Sequence, residues 1–135
     1  MEWSGKRVLI TGASSGIGAA TAEAAAKRGA EVALVARSAD KLEAVAHQIR
    51  QTGGVVTTHA FDVSDPEQVG RLATEVPIPD VLFNNAGAGR WKPLVETDPA
   101  EAAGMIGAPY LAAFYTTRAF LPAMLARRSG VCCCG

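Results

Sequence analysis

Residues Thr11-Gly12-Ala13-Ser14-Ser15-Gly16-Ile17-Gly18 constrain the fold of this chain more than any other stretch. The apolar run Arg7-Val8-Leu9-Ile10 before them reads as a short buried strand, and the Ala-rich run to Arg28 after them reads as a helix. A strand, a Gly-rich turn and a helix start make an anion site. The first N–H groups of a helix have no partner within it, and its dipole is positive at that end. Gly12 can take the positive φ of a tight turn, Gly16 lets backbone approach a phosphate, and Gly18 lets the helix pack closely on the strand. Three glycines at this spacing also fit an ordinary strand-to-helix loop, so the rest of the chain has to decide.

The order of elements does much of that deciding. Gly29 ends the first helix, and Glu31-Val32-Ala33-Leu34-Val35-Ala36 follows as a strand apolar enough to be covered on both faces. Ser38 caps a second helix carrying Leu42, Val45, Ala46 and Ile49 on one stripe, which Gly53-Gly54 ends. A third strand runs from about Val55 to Phe61. Asp65-Pro66-Glu67-Gln68 opens a third helix, with Asp65 as cap, Pro66 in the first turn and Gln68 reaching back. Pro77-Ile78-Pro79 breaks it, and Asp80-Val81-Leu82-Phe83 forms a fourth strand closed by Asn84-Asn85-Ala86-Gly87. After a loop through Trp91, Asp98-Pro99-Ala100-Glu101 starts a long last helix. Strands alternating with helices through short loops predict an α/β fold: a doubly wound parallel sheet with right-handed crossovers, flanked by helices. About four strands are expected, in order 3-2-1-4, with a nucleotide lying across their carboxyl ends where the order reverses. Residues 1–130 form the domain, and 131–135 are an atypical tail that reads as the start of a strand or an unnatural terminus.

Composition closes off other classes. Lys+Arg and Asp+Glu number 13 each, so no net charge draws the protein to nucleic acid or anionic lipid. The start has no apolar signal segment, and Cys132, Cys133 and Cys134 are adjacent, which offers no disulfide framework and fits a reducing, cytoplasmic compartment. Consecutive cysteines cannot surround a tetrahedral ion, and His47 and His59 lack ligand spacing, so no metal site is expected. From Ala102 to Ala126 the one charge is Arg118, but glycines, prolines and threonines dilute the run, which reads as a helix buried on a sheet and not as a membrane span.

The second strand ends on Ala36-Arg37-Ser38. A reader of a ribose 2′-hydroxyl would be an acid here, roughly 20 residues past the loop. Arg37 stands there instead, and an arginine fork suits a 2′-phosphate, so NADP is expected over NAD. Thr11-Gly12-x-x-x-Gly16-Ile17-Gly18, Asp62-Val63 after the third strand and Asn84-Asn85-Ala86-Gly87 after the fourth together resemble the short-chain dehydrogenase/reductase family from residue 6 to about 130. The resemblance implies a Rossmann-type fold and NAD(P)-dependent interconversion of an alcohol and a carbonyl, with a homo-oligomer built on the long helix. It implies that Asp62 and Val63 contact the adenine, that Asn84 steadies the sheet, and that Ala86 and Gly87 line the adenosine ribose. The candidate cofactor-binding residues are therefore Gly12, Ser14, Ser15, Gly16, Ile17, Gly18, Arg37, Ser38, Asp62, Val63, Asn85, Ala86 and Gly87.

The chain then departs from the family's pattern. The family uses a tyrosine as acid or base and a lysine four residues on to lower its pKa, with a serine and a helix asparagine beside them. Here Tyr110 is followed four on by Phe114 and Tyr115 by Ala119, and no lysine follows Lys92. The stretch matching the asparagine reads Gly107-Ala108-Pro109-Tyr110, where Pro109 predicts a kink. No catalytic residue is assigned. The expectation is an incomplete fold holding the dinucleotide-binding half of an oxidoreductase, its fourth strand an exposed edge, acting on a small alcohol or carbonyl only with the missing half supplied. The alternatives are a non-catalytic NADP-binding module and a non-functional truncated product.

Overall fold

Successive residues of a strand face opposite sides of its sheet, and here both sides are covered. The computed structural model describes residues 1–87 and 92–135; the expected loop through Trp91 lies, over 88–91, outside the described residues. Strands β1 (Arg7–Thr11), β2 (Glu31–Ala36), β3 (Val55–Ala60), β4 (Val81–Asn84) and β5 (Val131–Cys134) form one sheet, and each neighbouring pair is parallel. Helices α1 (Gly16–Lys27), α2 (Ala39–Gln51), α3 (Pro66–Glu75) and α4 (Pro99–Arg127) connect them, with a short 3-10 turn at Leu94–Glu96 before α4. Val8, Ile10, Val32 and Leu34 pack with Ala22, Ala26, Leu42 and Ile49 of α1 and α2. Leu9, Val35 and Leu82 face the other way, onto Val69 and Leu72 of α3 and Phe120 and Met124 of α4. The result is a Rossmann-like α/β fold, with helices on both faces of a parallel sheet.

The sheet has five strands, in order β3-β2-β1-β4-β5. That extends the expected 3-2-1-4 order and corrects the expectation of about four strands. The tail is an element of the fold, because Val131 to Cys134 pair in register with Val81 to Asn84 and cover what was expected to be an exposed edge. Free cysteine behaves as a small hydrophobe, and three in a row serve a short strand. Two hydrogen bonds fix where β5 begins and stops: the Val131 N–H donates to the Asp80 carbonyl (2.9 Å) and the Gly135 N–H to the Asn84 carbonyl (3.0 Å).

Local chemistry explains the helix starts. The Asp65 carboxylate accepts from the Glu67 N–H (2.9 Å), and the Asp98 carboxylate from the Ala100 N–H (2.7 Å), each ahead of a first-turn proline. Gln68 reaches back as expected, its amide donating to the Asp65 carboxylate (3.2 Å), while its Oε1 accepts from the Asp62 N–H (2.8 Å) and ties the end of β3 to α3. The 29-residue α4 holds both Pro109 and Pro122 without a break in its helical span. Among the described residues no helix is long and apolar enough to cross a membrane.

Candidate functional site

The strand order reverses between β1 and β4, where the connections leave in opposite directions and open a crevice at the carboxyl ends of the strands. Two loops meet there, and a hydroxyl joins them. Thr11, buried at the end of β1, accepts from the N–H groups of both Asn85 and Ala86 (3.0 Å each). The Asn85 amide in return donates to the Gly12 carbonyl (3.3 Å). The Ala13 N–H donates to the Val35 carbonyl (3.2 Å), which anchors the same loop to the end of β2.

Backbone packing does the rest. Gly12 has φ +65°, and a Cβ there would lie 2.9 Å from the Ala86 Cα and from the Asn85 carbonyl oxygen. A Cβ on Gly18 would collide with the Gly12 carbonyl and sit 2.7 Å from the Asn85 Nδ2. Gly16 is different: with φ +56° it has nothing within 4 Å, so its missing side chain leaves open space at the start of α1.

Above these loops lies a cleft of about 780 Å³, within the size range of small-molecule and cofactor sites. Of the residues expected from sequence, Gly12, Ser14, Ser15, Arg37, Ser38, Asp62, Val63, Asn85, Ala86 and Gly87 line it. Gly16, Ile17 and Gly18 do not: Gly18 is buried beneath the loop, and Ile17 is 71% exposed. Val63 reaches the cleft although its side chain belongs to the core on the α3–α4 face. Sequence reasoning missed Ala36, Lys41, Phe61, Ser64, Ala108 and Ala112 as lining residues, and Thr11 as the staple beneath them. Lys41 was the most legible of these, being a cation within one helical turn of Arg37.

Two polar features tune the walls. The Asp62 carboxylate accepts from the Ser64 hydroxyl (2.6 Å) and the Ser64 N–H (3.0 Å). The Ser64 hydroxyl above all holds its pKa below the ordinary value; burial opposes the shift, and the Ser64 amide and the charge of Arg37 add to it. Beneath the β4 end, buried Asn84 accepts from the Thr116 hydroxyl (2.5 Å) and donates to the Thr117 hydroxyl (3.0 Å), which fastens β4 to α4. The thiol of Cys132 is pushed up chiefly by burial and secondarily by its neighbouring thiols. Among the described residues no group of His, Cys, Asp or Glu could hold a metal ion. His59 instead pairs with the Thr57 hydroxyl (3.0 Å) and lies 3.5 Å from Glu75.

A family model described as short chain dehydrogenase matches residues 6–133. The chain is 40% identical over 124 residues to a 3-dehydrosphinganine reductase of Arabidopsis thaliana, covering 91% of this chain and 38% of that protein. It is 37% identical over 138 residues to a fatty acyl-CoA reductase of Mycobacterium tuberculosis, covering 96% of this chain and 46% of that one. Among solved structures, a metagenomic short-chain oxidoreductase in complex with NADP superposes with a TM-score of 0.88 at 40% identity, over 99% of this chain and 62% of the other. An alcohol dehydrogenase from the archaeon Thermococcus sibiricus, complexed with 5-hydroxy-NADP, gives 0.85 at 39% identity, over 96% and 57%. The chain thus spans less than half the length of these curated relatives and about three-fifths of these solved ones.

Proposed function

Because the chain belongs to the short-chain dehydrogenase family, we propose that its cleft binds NADP and that it serves an NADP-dependent oxidoreductase acting on an alcohol/carbonyl pair. One observation carries this: the cleft opens at the point of strand reversal, over the start of α1, whose cap residue Ser15 makes no side-chain hydrogen bond to the helix's first turn. Gly12 and Gly18 bring the loop down onto Asn85, and Gly16 leaves the room a diphosphate needs. Ser14 and Ser15 line the floor with hydroxyl groups and Ile17 follows in the first turn of α1. These residues fit a dinucleotide.

The remaining walls sort by chemistry. Arg37 and Ser38, at the end of β2, take the adenosine side, where an arginine fork matches a 2′-phosphate. Asp62 is held ionised by Ser64 and Arg37, so it accepts from the adenine amine, with Val63 beside it. Asn85, Ala86 and Gly87 offer a flat, small-residue wall to the ribose. Bound NADP supplies the hydride chemistry. The residues here bind and orient it, and with no Tyr-x-x-x-Lys pair among the 135 residues no proton-transfer step is assigned to them. The NADP carried by similar solved proteins supports the cofactor choice.

Fluorescence titration with NADPH and NADH tests the proposal. NADPH should bind more tightly by about tenfold, the worth of one charge-assisted contact. Equal or reversed affinities would contradict it.

A further inference from the structure

Two cations face the cleft from the junction of β2 and α2. Arg37 is the last residue before the cap of α2, and Lys41 lies in the helix's first turn; both line the cleft. Ser38 caps α2, its hydroxyl accepting from the Lys41 N–H at 3.4 Å, so the helix start opens on the same wall. A lysine in a first turn stands against the helix dipole, which favours anions there and disfavours cations. Asp40, beside it, is the residue type the dipole prefers. Among the described residues the ion pairs join Arg7 and Arg127 with Asp80, Arg50 with Glu43, His59 with Glu75 and Lys92 with Glu101, so neither Arg37 nor Lys41 is engaged in one. The cleft lining holds a single carboxylate, Asp62, which already accepts twice from Ser64. Asp62 offsets part of the Arg37 charge, and the positive charge left on this wall suits an anion.

We infer that Lys41 is a second reader of the nucleotide's 2′-phosphate, sharing its charge with Arg37 and thereby setting the NADP preference. The inference rests on the binding of NADP proposed above. A phosphate monoester carries close to two charges at neutral pH and three acceptor oxygens. One guanidinium fork satisfies two oxygens and one charge; a lysine ammonium answers the remainder as a point charge. A neutral 2′-hydroxyl gains nothing from Lys41, so the residue acts on the ratio of NADP to NAD affinity and not on nucleotide affinity in general.

Titration of the wild-type protein, Lys41→Gln and Lys41→Arg with NADPH and with NADH tests this. Lys41→Gln should weaken NADPH by about tenfold and leave NADH within about twofold. Lys41→Arg should restore most of the loss, and the difference between nucleotides should shrink at about 1 M salt as the charges are screened. Lys41 is exposed, so the unchanged NADH affinity also certifies the fold. An unaltered NADPH affinity in Lys41→Gln, or an equal loss for both nucleotides, overturns the role of Lys41 while leaving the cleft a nucleotide site. Failure of the wild-type protein to bind either nucleotide overturns the proposed function itself, and this inference with it.

Discussion

The loop after β1 and the helix after β4 both frame the cleft, and they are held in place by opposite means. At β1 the limit is backbone: a single methyl group on Gly12 would meet main-chain atoms of the loop after β4, and one on Gly18 would meet the Gly12 carbonyl. At β4 the limit is side-chain chemistry, with Asn84 satisfied by two threonine hydroxyls of α4. Their surroundings differ as well. Core residues close over both faces of β1, whereas α4 leaves Ile106 at 78%, Tyr110 at 70% and Leu125 at 65% exposure. A site fixed by close backbone approach tolerates almost no change, while one fixed by hydrogen bonds tolerates any side chain that preserves donors and acceptors. The anion-binding end of the cleft is the inflexible one.

Substitutions can break that contrast or sharpen it. The largest effect belongs to Gly18→Ala, whose methyl group has nowhere to go; a loss of about 3 kcal/mol in chemical denaturation is expected. Gly16→Ala, two residues earlier, meets open space and costs only the left-handed backbone, about 1 kcal/mol. Equal losses at the two positions would remove the backbone-limited character of the loop. On the other side, Asn84→Ala strips the β4–α4 joint of its hydrogen bonds and should cost about 2 kcal/mol, with Thr116→Val nearer 1 because it leaves only the Asn84 Oδ1 bereft. Either variant matching Gly18→Ala would show that the polar joint is as unforgiving as the loop.

Smaller still in stability, though not in selectivity, is Arg37→Asp. It puts an acid at the end of β2 and should invert the nucleotide preference to NADH; an unchanged ratio would make Arg37 a surface bystander. The smallest effect concerns Asp62. Its pKa is lowered in the folded protein, so its contribution to stability is full above the unfolded carboxylate value of about 3.9 and is lost as pH falls through the lower folded value. Asp62→Asn keeps an acceptor for Ser64 but does not titrate, and its acid unfolding curve should lack that slope. Identical curves for the two proteins below pH 4 would show that Ser64 and Arg37 do not hold the carboxylate.

The same contrast explains what could be read from the amino acids. The loop after β1, the helix caps at Ser38, Asp65 and Asp98, and the order of the first four strands were legible because each rests on a residue type with few other uses. Thr11 was not. A threonine closing a strand looks like any β-branched strand residue, and its two accepted hydrogen bonds come from a loop more than seventy residues away. The fifth strand was legible only as one of two readings of the tail, because four residues are too short to show alternation and three cysteines carry no strand-specific signal. Pro109 lies within α4, whose helical span continues past it and packs against the sheet through Ala112, Phe120 and Met124. Lys41 carries no motif of its own, and its place beside Arg37 depends on a cleft wall that only the folded chain assembles.

The most direct test follows backbone amide resonances while NADPH is added. The largest shifts should fall on Ser14 through Gly18, where α1 begins, with a second set at Arg37 to Lys41 and saturation at one nucleotide per chain. Shifts that spare the Ser14–Gly18 amides while nucleotide binds elsewhere would show that bare main chain at the head of α1 is not what holds the phosphates.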